Sequence, residues 1–358
     1  MAKHKVLVVD DSALMRRLLV QILQADGYEV VTARHGEEAV ELLLSEQPDA
    51  VTLDINMPRM DGLTALSLMM AARPTPTIMV SSLTEKGALA TLEAMALGAV
   101  DYVLKPGGTI SLSIDEVAKS LLHKLQVAVR SRPKSVASPA RLPAANETGI
   151  KQVPKPRITT PSSAPSVSMP VILIGVSTGG PRTLEDILPH LPADFPAAVL
   201  VAQHMPANFT AAFAQRLGRM CALPVREVNA VMPLQAGHIY IGQGGTDMVL
   251  SKRLGRMVVA PAPESAEHPW HPSVDRMVET AMQVLPANQL IGVQLTGMGY
   301  DGAQSMTALK QQGGRTIAEA ESSAVVFGMP CELIQRGGAS VVLPAHSVAQ
   351  QLRNWVTR

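Results

Sequence analysis

Three residues of the C-terminal half have the types that acyl transfer requires: a serine, a histidine and an aspartate, each just past a short apolar run. Ser177 stands in Gly175-Val-Ser177-Thr178-Gly179-Gly180-Pro181, after the run Val171-Ile-Leu-Ile174. A serine at a sharp strand-to-helix turn with small neighbours presents its hydroxyl at the sheet edge, above N–H groups that no helical carbonyl satisfies. That hydroxyl is a weak nucleophile until an imidazole takes its proton, and the imidazole needs a carboxylate to fix its tautomer. His204 follows Ala198-Val-Leu-Val-Ala-Gln203, and Asp301 lies in the turn Gly297-Met298-Gly-Tyr-Asp301-Gly302 after Leu290 to Leu295. The N–H groups of Thr178 and Met298 are the candidates to hold an oxyanion. Each element also has a plainer reading. The glycine-rich turn alone fits an anion-binding loop, and aspartate before glycine is a common turn residue. His238 and His346 also lie beside apolar runs, so position favours His204 without requiring it.

A second constellation lies near the N-terminus. Asp10 and Asp11 end the run Val6 to Val9, Asp54 ends Ala50 to Leu53, Ser81 and Ser82 end Thr77 to Val80, and Lys105 ends Ala99 to Leu104. Three carboxylates brought together repel one another unless a cation neutralises them, and hard oxygen ligands suit Mg²⁺. A lysine beside them suits a phosphate oxygen. Taken singly, Asp10 or Asp11 reads as a cap for a helix starting near Ser12. The joint pattern at four strand ends argues for a site.

The elements that must position these residues follow from the same runs. Short apolar strands alternate with segments of helical spacing such as Leu14, Leu18, Ile22 and Val117, Leu121, Leu125. Such βα alternation implies a parallel sheet wrapped on both faces, with ligand sites beyond the carboxyl ends of its strands. The pattern occurs twice. Between the two halves, Ser131 to Ser168 holds seven prolines, six basic residues, one acid and no aromatic, the composition of an exposed, semi-flexible linker. The expected class is α/β: a (βα)5 domain over residues 1–128, a linker over 129–168, and a doubly wound, mainly parallel α/β domain over 169–358.

Composition narrows the function. With 31 basic and 30 acidic side chains the net charge is +1, and no basic recognition helix occurs in the second half, so nucleic acid is not an expected partner. Gly175-Val-Ser-Thr-Gly-Gly lacks the Gly-x-Gly-x-x-Gly spacing of a dinucleotide site. The first apolar run, Val6 to Val9, is too short for a signal peptide before Asp10 and Asp11 interrupt it, and no run approaches the ~18 apolar residues of a membrane span. The expectation is a cytoplasmic protein without direct membrane insertion, with Cys221 and Cys331 as buried apolar thiols.

The motifs Val-Asp10-Asp11-Ser, Leu-Asp54-Ile-Asn56-Met-Pro58, Val-Ser81-Ser-Leu-Thr and Asp-Tyr102-Val-Leu-Lys105-Pro106 resemble the receiver domain of response regulators. The resemblance implies phosphorylation of Asp54 by a histidine kinase. It further implies Mg²⁺ on Asp10, Asp11, Asp54 and the Asn56 backbone, with Ser81, Lys105 and Tyr102 as switch residues. Ile-Gly-Val-Ser177-Thr-Gly-Gly-Pro, Gln-His204-Met-Pro206, Leu-Thr-Gly-Met298-Gly-Tyr-Asp301-Gly and Val-Val-Phe327-Gly-Met-Pro330 resemble the chemotaxis protein-glutamate methylesterase family (CheB). That implies a Ser177, His204, Asp301 triad acting on methyl-accepting chemotaxis receptors, with glutamine deamidation as well and no cofactor for hydrolysis. The chain order Ser, His, Asp differs from that of α/β hydrolases. His271 in place of arginine, and Ala318-Glu319-Ala-Glu321 in place of Gln-Asp-Glu, depart from the family pattern. The resemblance also implies that the receiver covers the Ser177 edge at rest, through a contact expected to be modest and polar because it must open.

Overall fold

The computed structural model describes residues 4–82, 84–106, 114–129 and 169–356. The linker expected at 129–168 lies outside these apart from Val129.

The first unit runs β1 (Lys5–Val9), α1 (Ala13–Ala25), β2 (Glu29–Ala33), α2 (Gly36–Glu46), β3 (Ala50–Asp54), α3 (Gly62–Ala72), β4 (Thr77–Ser81), α4 (Glu85–Leu97), β5 (Asp101–Leu104) and α5 (Ile114–Ala128). Its five strands are all parallel, in the order β2-β1-β3-β4-β5. Alternate residues of β1 serve opposite faces: Val6 and Val8 pack with Leu121 and Leu125 of α5, Leu7 and Val9 with Leu43 of α2 and Leu66 of α3. Burial on both faces explains why these strands read as unbroken apolar runs.

The second unit runs β6 (Val171–Val176), α6 (Gly180–Ile187), β7 (Ala198–Gln203), α7 (Ala207–Met220), β8 (Val225–Val228), β9 (Met232–Pro233), β10 (Ile239–Gly242), β11 (Asp247–Arg253) and β12 (Arg256–Ala262). It continues with α8 (Val274–Val284), β13 (Leu290–Gln294), α9 (Ala303–Gln311), β14 (Arg315–Glu319), α10 (Met329–Gln335), β15 (Val341–Leu343) and α11 (Ala345–Val356). Seven strands form a parallel sheet in the order β15-β14-β13-β6-β7-β10-β8, and β11-β12-β9 form a separate antiparallel sheet. The chain leaves β6 toward β7 on one side and returns through β13 on the other. The crevice at their carboxyl ends is therefore the topological switch point where such sheets bind ligands.

Three local expectations need correction. The buried stripe of α1 is Leu19 and Leu23, while Leu14 is 79% exposed, so the Leu14, Leu18, Ile22 spacing marks the helix but not its core face. The strand expected from Ala99 begins at Asp101. Cys221 and Cys331 are only half-buried; both are free, and burial followed by the nearby Glu185 raises the Cys221 thiol to about 11.

Candidate active site and receiver site

Strand ends deliver the three acyl-transfer candidates to one place. Ser177 directly follows β6, and its N–H donates to Thr296 O at 2.9 Å. Gly179, at φ +78°, turns the chain into α6, a backbone conformation that side chains disfavour. His204 directly follows β7, with its N–H on Val176 O at 3.0 Å. Its Nε2 lies 2.8 Å from Asp301 Oδ2.

Asp301 is buried and fully provided with donors. Oδ1 accepts from Ser273 Oγ at 3.0 Å and Asp275 N at 2.9 Å, and Oδ2 accepts from Val274 N at 2.7 Å as well as from His204. The carboxylate thus sits on the N-terminus of α8, where free N–H groups and the helix dipole favour negative charge. Burial alone would raise its pKa, but the His204 bond and the helix N–H groups outweigh it and hold it below the usual carboxylate range. An ionised carboxylate only accepts, so Nε2 carries the proton and Nδ1 is left as an acceptor. Nδ1 is buried and has no hydrogen-bond partner among the described residues. His204 and Ser177 line the same cavity of about 260 Å³, together with Thr178 and Met298. Neither the Thr178 nor the Met298 N–H donates to a described residue. No hydrogen bond joins Ser177 Oγ to His204 among the described residues; catalytic bonds often tighten only when substrate binds.

The N-terminal residues converge in the same manner. Lys105 Nζ lies 2.7 Å from Asp54 Oδ2 and 3.0 Å from Asp10 Oδ2. One oxygen from each of Asp10, Asp11 and Asp54 falls within 4.8 Å of the others. Ser12 caps α1 by accepting from Met15 N, and Asp10 Oδ1 accepts from Ser12 N at 2.9 Å, so capping does not occupy the cluster. Asp10 Oδ2 is buried with no aligned hydrogen bond despite the ammonium beside it, and this orphaned oxygen, in an all-oxygen donor set, fits a hard divalent cation. Burial raises the Asp54 pKa against the opposing pull of Lys105. Burial lowers that of Lys105, but its bond to Asp54 and the negative charges of Asp54 and Asp10 leave it raised. The Asn56 N–H donates to Asp54 Oδ1 at 3.4 Å. Ser81 makes no hydrogen bond to Asp54 among the described residues: its hydroxyl accepts from Thr91 Oγ1 at 2.8 Å, on the α4 side.

The two units meet over the serine. Tyr102 stacks on Phe209 of α7 with centroids 4.7 Å apart and planes 8° from parallel, and α4 packs on α6 and α7. Asp101 Oδ2 accepts from Thr178 Oγ1 at 2.5 Å, while Lys124 Nζ bonds Asp101 Oδ1 at 2.8 Å. Met95, Tyr102 and Lys124 complete the wall of the Ser177 cavity. The contact is apolar around Tyr102 and Phe209, which join one continuous core of the two units, and it also holds the buried Asp101–Thr178 bond, so it is less polar than expected. Burial and then Asp101 push the Tyr102 hydroxyl well above its ordinary pKa.

Family comparisons match this two-part arrangement. Residues 172–352 match the CheB methylesterase model and residues 6–113 the response regulator receiver domain model. A Rhodospirillum rubrum protein named protein-glutamate methylesterase/protein-glutamine glutaminase 3 is 53% identical over 99% of this chain and 96% of its own length. The chain belongs to the CheB methylesterase family. A Rhodopseudomonas palustris member named protein-glutamate methylesterase/protein-glutamine glutaminase 2 is 46% identical over 98% of each chain. The solved CheB methylesterase catalytic domain of Thermotoga maritima, 37% identical, is covered in full by 53% of this chain with a TM-score of 0.51.

Several residues around this candidate site are not among the catalytic residues that the motifs suggest. Trp270 lies parallel to the His204 ring at 5.8 Å, with Tyr300 edge-on at 4.9 Å. Ser273 ties Asp301 to α8, a role that its N-cap position in Pro-Ser273-Val-Asp signals. His271, the departure from the family pattern, bonds buried Asp247 through Nδ1 at 3.0 Å, and Arg276 reaches the other Asp247 oxygen at 2.6 Å. Burial works against ionising Asp247, but His271, Ser273 N and Arg276 together lower its pKa. Glu319 is buried beneath the site, accepting from Thr296 N and Ser323 Oγ, both at 2.8 Å. No helix among the described residues is long and apolar enough to cross a membrane.

Proposed function

We propose that this chain is a phosphorylation-activated serine esterase that hydrolyses γ-glutamyl methyl esters of chemotaxis receptors and deamidates receptor glutamines, giving sensory adaptation. The observation that carries the reading is the His204–Asp301 pair, whose unpartnered Nδ1 belongs to the residue lining the Ser177 cavity. The two activities in the relatives' names support both substrates. Methanol release from methylated receptor, lost in Ser177→Ala, tests it.

In this reaction Nδ1 of His204 accepts the Ser177 proton as Oγ bonds to the ester carbonyl carbon, and Asp301 stabilises the imidazolium through Nε2–H. The Thr178 and Met298 N–H groups, free of described partners, donate to the oxyanion. Collapse breaks the C–OCH₃ bond, and the leaving oxygen takes the Nδ1 proton to depart as methanol. Water then gives a proton to Nδ1 and adds to the glutamyl-serine ester. Collapse of the second adduct breaks its C–Oγ bond, Ser177 Oγ takes the proton from Nδ1, and the glutamyl acid is released and ionises. For a glutamine substrate, ammonia leaves in place of methanol. Each turnover restores a negative charge on a receptor helix, altering its i, i+4 electrostatics.

Asp54 is the phosphoacceptor and a histidine kinase the donor. Asp10, Asp11, Asp54 and the Asn56 backbone would hold Mg²⁺, which when bound neutralises the crowded carboxylates and the phosphoryl group. Lys105 pairs with the phosphoryl oxygens, and Ser81 turns from Thr91 toward them. Tyr102 follows, leaves Phe209 and weakens the cover over Ser177, so phosphorylation shifts an opening equilibrium. The functional units are residues 1–128 and 169–358, joined by 129–168. We assign the chain to the cytoplasm, without nucleic acid as partner and without membrane insertion of its own.

A further inference from the structure

The ends of β6 and β7 are joined by a side chain that the triad reading does not use. Gln203, 2% exposed, is the last residue of β7, and its register partner is Val176, the last of β6. Its Nε2 donates to Ser177 O at 3.0 Å and to His204 O at 3.1 Å. One amide therefore holds the backbones of both the proposed nucleophile and the proposed base. The orientation is dictated by chemistry: both partners are carbonyls that only accept, so a flipped amide would set oxygen against oxygen. Gln203 Oε1 is buried and unpartnered, and it occupies the space where a Cβ on Gly180 would collide with it. Glycine at 180 is thus matched to glutamine at 203. On the other face of the sheet Gln294, the last residue of β13, donates from Nε2 to Asp301 O at 3.0 Å, but Asp301 has four further donors on its carboxylate.

We propose that Gln203 is a positioning residue for ester hydrolysis, which sets the spacing of Ser177 and His204 by bridging their carbonyls. The proposal rests on the Ser177–His204 reading. Because the two carbonyls lie one bond from the Cα atoms that carry Oγ and the imidazole, a slack bridge lets the reacting atoms drift apart while the sheet below stays paired. Gln203→Met keeps the volume and removes both donors. Gln203→Glu keeps the shape, and its buried carboxyl, favoured in the protonated form, offers one donor at low pH only.

The test compares full-length wild type, Gln203→Met, Gln203→Glu and Gln294→Met for methanol release from methylated receptor, with thermal unfolding of each. Labelling of Ser177 by a fluorophosphonate is followed in parallel. The expected results are a fall in kcat of roughly 10²-fold in Gln203→Met with little change in KM, a parallel slowing of Ser177 labelling, and a smaller loss in Gln294→Met. The Gln203→Glu rate relative to wild type should rise as pH falls, which a purely structural role would not produce. If Gln203→Met does not fold, that pH-dependent ratio decides. A folded Gln203→Met with kcat within twofold of wild type, or a Gln203→Glu ratio flat with pH, overturns the proposal. Labelling of wild type at a residue other than Ser177 overturns the triad, and this proposal with it.

Discussion

Thr178→Val is the cleanest probe of how the receiver restrains the esterase. Valine keeps the branched shape and the backbone N–H while deleting the hydroxyl that donates to Asp101 Oδ2 at 2.5 Å. Both partners are 5% exposed, and Asp101 keeps Lys124 at 2.8 Å and the Tyr102 N–H at 2.7 Å, so no charge is stranded. A buried hydrogen bond to a carboxylate contributes about 1.5–3 kcal/mol. This bond exists only in the closed arrangement, so its loss multiplies the open fraction of the resting enzyme by about 10- to 100-fold, at 1.4 kcal/mol per factor of ten. Methanol release by unphosphorylated full-length Thr178→Val should rise accordingly, up to the rate of the fragment Met169 to Arg358. In that fragment the same substitution should change little, since Asp101 is absent. A full-length Thr178→Val no faster than wild type, with its fragment fully active, would refute the latch.

Three further outcomes follow from the geometry. With Mg²⁺ and acetyl phosphate, an acid-stable, base-labile acyl phosphate should form on Asp54, as read by mass spectrometry; equal labelling of Asp54→Asn would place the acceptor elsewhere. Asp301→Asn should lower kcat by about 10²- to 10⁴-fold, because an amide cannot accept on both sides from Ser273, Val274, Asp275 and His204; an unchanged rate would remove Asp301 from the triad. The lowered pKa values of Asp301 and Asp247 set a sign for acid sensitivity. Their ionised forms stabilise the fold above the unfolded value of about 3.9, and this is lost as pH falls through the lower folded values. Thermal scans from pH 6 to 3 should therefore show a shallower acid loss in Asp247→Asn, and a slope equal to wild type would contradict the assignment.

Much of this arrangement was legible because buried parallel strands leave unbroken apolar runs, and chemistry collects at their ends. Val6 to Val9, Ala50 to Leu53 and Ala198 to Ala202 all lie in strands, and the residues after them converge. The edge strand β2, Glu29-Val-Val-Thr-Ala33, left no such run because only Ala33 is buried. Leu14 lies off the core face: apolar spacing defines a helix without saying which stripe meets the sheet. Contacts between distant segments left no local signal: Asp101 with Thr178, Tyr102 with Phe209, and Asp301 on the first turn of α8. Gln203 was visible beside His204, but only the in-register ends of β6 and β7 show that its amide spans both carbonyls.

Ester hydrolysis by this chain is proposed to run through Ser177, gated by phosphorylation of the receiver. Its most direct test is methanol release from methylated receptor membranes by full-length wild type and Ser177→Ala, each with and without acetyl phosphate and Mg²⁺. Wild type should release methanol at a rate that rises on phosphorylation, and a folded Ser177→Ala should release none above background under either condition. Release by Ser177→Ala at the wild-type rate would contradict the proposal.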